Sequence, residues 1–248
     1  MQFRRIGQLV AATTVSAVAL SGAQAVAQET KTTISVTNIT DIHGHLEDKI
    51  GDPAKAGDEI GVARLQTLIK QVNEGQEFNL TSSGDNVGGS AFVSAISDDK
   101  YTLEALNKMG MKVSAVGNHE FDKGTEDLTE RIQPNSTYPI LGANVVKDGE
   151  LLLKPSHVED VDGVKVGYVG TVTENTKYKV SAAKIPGVTF TDPVKATNEE
   201  ATRLKESGEA DVVVALFHED AQEYAEGFNK DVDVLFGGDT HQRTKGEI

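Results

Sequence analysis

Val113-Ser114-Ala115-Val116-Gly117-Asn118-His119-Glu120-Phe121-Asp122 decides how the rest of the chain is read, because an apolar run passes directly into a loop of cation-binding and proton-carrying residues. Val113 to Val116 is short and β-branched, which predicts a buried strand. At Gly117 the character changes. Asn118 and Glu120 offer oxygen atoms and His119 offers ring nitrogens, all within four residues of the strand end.

Outward from this stretch the same punctuation recurs. Ile34 to Ile39 runs into Asp41 and His43, Phe78 to Thr81 into Gly84-Asp85-Asn86, Val212 to Phe217 into His218, and Val232 to Phe236 into Gly238-Asp239-Thr240-His241. With Val164 to Val172, these runs are expected to be strands mostly buried on both faces. Between them lie helical patterns: Val62, Leu65, Leu68, Ile69 and Val72; a looser one from Ala91 to Met109; and Val194 to Lys205 with a charged outer face. Strand and helix alternate, so the fold class is α/β. In such sheets ligands gather beyond the carboxyl ends of the strands, and these loops are expected to converge.

Each motif alone has an ordinary explanation. Asp41-Ile42-His43 also reads as a strand end with a helix-capping acid, Gly84-Asp85-Asn86 as a tight turn, and Asn118-His119 as a loop with a satisfied core histidine. Taken together they do not. Four of the six histidines follow strands closely, each within two residues of Asp, Asn or Gly, and turn chemistry gives no reason for that.

The ordered set Asp41-x-His43, Gly84-Asp85, Gly117-Asn118-His119-Glu120, His218 and Gly238-x-x-His241 resembles the calcineurin-like metallophosphoesterase superfamily. Within it, Thr40-Asp41-Ile42-His43-Gly44 and Gly117 to Asp122 resemble the secreted 5'-nucleotidase and UDP-sugar hydrolase branch. The resemblance implies a β-sandwich flanked by helices, holding two divalent ions (Mn, Zn or similar) roughly 4 Å apart. It makes Asp85 the bridging ligand, gives Asp41, His43 and His241 to one ion, and gives Asn118, His218 and Asp239 to the other. A hydroxide held by both ions would attack phosphorus. His119 would stabilise the transition state or protonate the leaving group, and Asp122 would orient its ring if the chain turns helical there. Where the family usually has Gly-His-Thr-His, this chain has Gly238-Asp239-Thr240-His241. The extra carboxylate shifts the second position toward harder cations such as manganese or magnesium.

Composition bounds the partners. The 248 residues, 38% hydrophobic and 25% charged, suit a folded globular protein. Arg4-Arg5 followed by the uncharged stretch Ile6 to Gln28 reads as a signal peptide over residues 1–27, cleaved after Ala25 or Ala27. An uncleaved anchor is the alternative, although the apolar centre is short for a span. Without that leader Lys+Arg falls from 24 to 22 against 38 Asp+Glu, and net charge moves from −14 to −16. Such a surface disfavours nucleic-acid polymers and anionic lipid, leaving small nucleotides as the expected substrate and a secreted, periplasmic or envelope location. The absence of cysteine rules out disulfides. Residues 28–248 are expected to be a catalytic domain that lacks the separate C-terminal nucleotide-binding domain of that branch. Rival functions are a cyclic-nucleotide phosphodiesterase, a hydrolase cleaving sulfate from a carrier thiol, and a non-catalytic metal- or nucleotide-binding module. His45 is assigned to the surroundings of His43 or to an exposed loop, His157 to a turn with no partner, Gly88-Gly89 to a flexible loop, and Asp98-Asp99 and Glu199-Glu200 to solvated faces.

Overall fold

Apolar runs that alternate with helical segments fold here into two sheets packed face to face. The computed structural model describes residues 32–53, 55, 57–243 and 245–246; the leader expected over residues 1–27 lies outside them. The first sheet orders β1 (Val36–Ile39), β2 (Asn79–Ser82), β3 (Met111–Ala115) and β4 (Ile140–Leu141), all parallel. The second orders β11 (Val234–Gly237), β10 (Val212–His218), β8 (Val164–Val172) and β7 (Ser156–Val161), with only β7 antiparallel. A small antiparallel sheet of β5 (Val145–Lys147), β6 (Glu150–Leu151) and β9 (Val188–Phe190) lies beside them.

Between the two large sheets, Val113, Ala115 and Leu141 pack on Val166, Tyr168, Val214 and Leu216. At Gly170 the sheets come so close that a Cβ would stand 2.5 Å from that of Leu141. Helices close the outer faces. α1 (Gly61–Val72) contributes Ile69, and α3 (Lys100–Met109) contributes Leu103 and Leu106, to the core outside the first sheet. α5 (Pro193–Glu206) lays Ala201 and Leu204 against Val213 and Ala215 of the second. α5 starts where the Asp192 carboxylate accepts the Lys195 backbone N–H at 3.0 Å and Pro193 fills the first turn. Each fully buried Leu of this kind contributes about 2 kcal/mol.

Four expectations are corrected. The helix from Ala91 to Met109 is broken into α2 (Phe92–Ala95) and α3, because Asp98 and Asp99 adopt φ of 51° and 61° between them. Asp99 is buried there rather than solvated and accepts the Ser94 hydroxyl at 2.8 Å. β1 and β11 lie at sheet edges and are only partly buried. His157 lies in β7, not a turn, with Nε2 2.6 Å from Glu159 Oε1 across the alternate-residue spacing of the strand.

Candidate metal centre

Parallel pairing brings the carboxyl ends of β1, β2 and β3 to one edge of the first sheet, and of β10 and β11 to one edge of the second. The two edges meet: Ser83 Oγ donates to the Phe236 carbonyl at 3.2 Å, and His218 Nδ1 to the Ser83 carbonyl at 2.7 Å. The backbone is bent sharply as it leaves the strands. Among the described residues nine non-glycine positions have positive φ, and Asp41, His43, Asp85, Asp239 and His241 are five of them. Left-handed backbone costs a side-chain-bearing residue free energy, so its concentration on the expected ligands marks a site whose geometry is imposed by the surrounding fold.

The expected ligands do come together. Asp85 Oδ2 lies 3.6 Å from His43 Nε2 and 3.2 Å from His218 Nε2, which puts it at the centre of the group. Asp41 Oδ1 is 3.9 Å from His43 Nε2 and 3.3 Å from His241 Nε2. His241 is the exposed member; Asp85 and His218 are buried. Three overlapping sets (Asp41, His43 and His241; His43, Asp85 and His119; Asp41, Asp85 and His218) each offer ligand atoms within 4.8 Å of one another.

The direction of the lone pairs tests whether cations fit. His43 Nδ1 donates to the Gly88 carbonyl at 2.8 Å and His218 Nδ1 to that of Ser83, so in the neutral rings each Nε2 is a bare acceptor. Both acceptors face carboxylates. Asp41 Oδ1 and His218 Nε2 are buried with no hydrogen-bond partner. Unpaired acceptors aimed at one another are costly unless positive charge lies between them, and the mixed oxygen and nitrogen set suits a divalent transition metal. In the metal-free chain a proton partly fills that need. Burial opposes charge on the His218 ring, yet Asp85, then Asp41 and Glu120, raise it to about 9. Burial likewise opposes charge on Asp85, but His218 and the His119 N–H hold it below the usual carboxylate range.

Asn118, at the same end of β3, meets Asp239 through its amide. With nitrogen turned inward it donates to Asp239 Oδ1 at 2.9 Å while its oxygen accepts the His119 N–H at 3.2 Å. With oxygen inward it faces Lys179 Nζ at 3.5 Å, and Lys179 is also ion-paired to Asp239 Oδ1.

His119 opens a short 3-10 turn, His119–Phe121, rather than an extended loop. That turn brings Asp122 Oδ2 to 2.9 Å from His119 Nδ1, while the Gly89 N–H donates to the same oxygen at 2.9 Å. The hydrogen bond that Asp122 accepts from the ring raises the His119 pKa, with burial opposing. Gly88 has no room for a side chain, since a Cβ would meet the His119 carbonyl at 2.1 Å. Gly88-Gly89 is therefore a packed support of His119 and not a loose loop. His45 sits on the surface side of its loop, paired with Glu59 at 2.9 Å.

Two participants were given no role from the sequence. Glu120 is buried, and its carboxylate accepts the N–H groups of Asp85 (3.0 Å), Asn86 (2.8 Å), Val87 (3.3 Å) and Gly117 (2.6 Å). Burial, with Asp85 beside it, pushes the Glu120 carboxyl up to about 7 against the pull of those amide donors. The second is Lys179, the last residue of α4 (Thr176–Lys179). Glu120 was visible as part of its motif; Lys179 reaches Asp239 across 60 positions and had no local signal.

Comparison with known proteins agrees with this fold. Residues 34–243 match the model of the calcineurin-like phosphoesterase family. Endonuclease YhcR of Bacillus subtilis is 29% identical over 245 residues, covering 87% of this chain and 20% of that protein. The 5'-nucleotidase of Rattus norvegicus is 31% identical over 231 residues, covering 84% of this chain and 38% of that one. The chain thus spans about two-fifths or less of the length of these relatives. The solved structure of the calcineurin-like phosphoesterase YfkN from Bacillus subtilis superimposes with a TM-score of 0.70 at 24% identity, over 84% of this chain and 72% of that one, a likeness of fold. Among the described residues no helix is long and apolar enough to cross a membrane. With the family match spanning both sheets and every strand-end loop of the site, the chain belongs to the calcineurin-like phosphoesterase family.

Proposed function

We propose that the chain hydrolyses phosphate esters of nucleotides outside the cytoplasm, using two divalent ions at adjoining positions that share Asp85. The observation behind this is the set of bare acceptors around Asp85: His43 Nε2 at 3.6 Å and His218 Nε2 at 3.2 Å, both fixed by carbonyls behind them. Asp41, His43, Asp85 and His241 would hold the first ion; Asp85, Asn118, His218 and Asp239 would hold the second. Bound there, such ions draw in a phosphoryl group and make a water acidic enough to react near neutral pH.

The chain's own groups do the rest. His119 would pass a proton from the ring nitrogen opposite Asp122 to the leaving oxygen, while Asp122 favours the protonated ring and keeps it aimed. Glu120 fixes the loops after β2 and β3 so that Asp85 and Asn118 keep their spacing. Nucleotides are the favoured substrate class because several relatives bear the name 5'-nucleotidase and because a net charge of −14 repels an anionic polymer. The extracellular setting rests on Arg4-Arg5 and the uncharged stretch behind them.

Assay of the metal-free protein against a nucleoside monophosphate and a simple phosphomonoester, with and without manganese, tests this function. Manganese is expected to restore turnover, and Asp85→Ala to lower it by about a thousandfold or more, as loss of a shared ligand should. Turnover that is indifferent to chelation, or to Asp85→Ala, would overturn the proposal.

A further inference from the structure

The two cation positions are not equivalent. Around the first, Asp41, His43, Asp85 and His241 present acceptors to one another, and among the described residues no lysine or arginine is ion-paired to Asp41 or Asp85. Around the second, a lysine has entered. Lys179 Nζ is ion-paired with Asp239 Oδ1, and Asp239 Oδ1 in turn stands 3.7 Å from His218 Nε2. Asp239 also belongs to none of the three acid and histidine clusters whose ligand atoms gather within 4.8 Å, among the described residues.

The chemistry of residue 239 explains the intrusion. A neutral imidazole at this position would give an ammonium group no counter-charge and would tolerate a dication beside it. A carboxylate attracts an ammonium, and a dication arriving next to that ammonium is repelled by it. We propose that the Lys179 ammonium stands in for the second cation, so that the chain holds one divalent ion tightly and admits another only when Lys179 swings away. Lys179 ends a four-residue helix and its side chain is 38% exposed, so solvent is available to receive it. This deepens the proposed function, on which it rests, by making occupancy of the second position the adjustable part of the site.

Titration of the metal-free chain with manganese tests this without reference to turnover. Bound equivalents are read by calorimetry, and adjacency of two ions by low-temperature electron paramagnetic resonance, in which neighbouring Mn(II) ions couple and a lone ion does not. The wild-type chain is expected to take one uncoupled equivalent and then a second about tenfold more weakly, the scale of one charge-assisted hydrogen bond. Lys179→Met, and Lys179→Met combined with Asp239→His, should tighten the second equivalent about tenfold and bring the coupled signal to lower metal concentration. Two wild-type equivalents of equal affinity, coupled from the first additions, would overturn the role of Lys179 and leave the metal centre standing. So would a second equivalent unmoved by Lys179→Met. Wild-type protein that binds no ion would overturn both, and Asp85→Asn, expected to lose the first equivalent, identifies that equivalent with the site.

Discussion

One hydrogen bond decides what His119 can do. Its Nδ1 meets Asp122 Oδ2 at 2.9 Å, and that contact raises the ring's pKa against the opposing effect of burial. A general acid works only while protonated, so activity that depends on His119 is lost as pH rises through its pKa. Asp122→Asn removes the charge that raises it and moves this loss to lower pH, with kcat falling about tenfold at neutral pH; His119→Ala costs about a hundredfold or more. The pH profile of kcat on an alkyl phosphate, whose leaving group needs the proton, checks this. Profiles of Asp122→Asn and wild type that run parallel would show that the pair does not share a proton.

At the scale of elements, the loops after β2 and β3 are held together by a buried carboxylate. Glu120 accepts four backbone N–H groups, and Glu120→Gln puts an amide NH2 where two of these donors expect an acceptor. The expected cost is about 3 kcal/mol, read as a lower denaturation midpoint with unchanged slope, and a loss under about 0.5 kcal/mol would show that the loops hold without it. Strands such as Val164–Val172 and Val212–His218 were legible because an unbroken apolar run has few alternatives to a doubly covered strand. β7, Ser156–Val161, was missed because its polar residues hide it, although Asp162-Gly163 behind it carries the hairpin signal, with φ of 52° and 82°. Asp148-Gly149 does the same between β5 and β6. The break between α2 and α3 was not legible, because it rests on the Ser94 to Asp99 hydrogen bond, which propensity does not register.

Across the whole molecule, the site was readable because its ligands follow strands and a parallel sheet collects strand ends. Lys179 was not readable, because ion pairing between distant loops leaves no spacing in the chain. The same concentration of acids has a consequence for stability. His218 is raised from 6.5 to about 9 in the metal-free fold, so its contribution is fully present below about pH 6.5 and fades as pH climbs through 9. Metal-free protein is therefore expected to lose roughly 5 °C of Tm between pH 6.5 and 9, while manganese-loaded protein, whose cation replaces the proton, does not. Equal pH dependence of the two forms would mean that His218 does not face the cation.

Anomalous diffraction from a manganese-soaked crystal of this chain puts the site itself to the test. The strongest peak is expected among Asp41, His43, Asp85 and His241, with a weaker one beside Asn118 and Asp239. A map with no peak there, or with manganese bound only elsewhere on the acidic surface, would contradict the assignment of these loops to metal-dependent phosphoester hydrolysis.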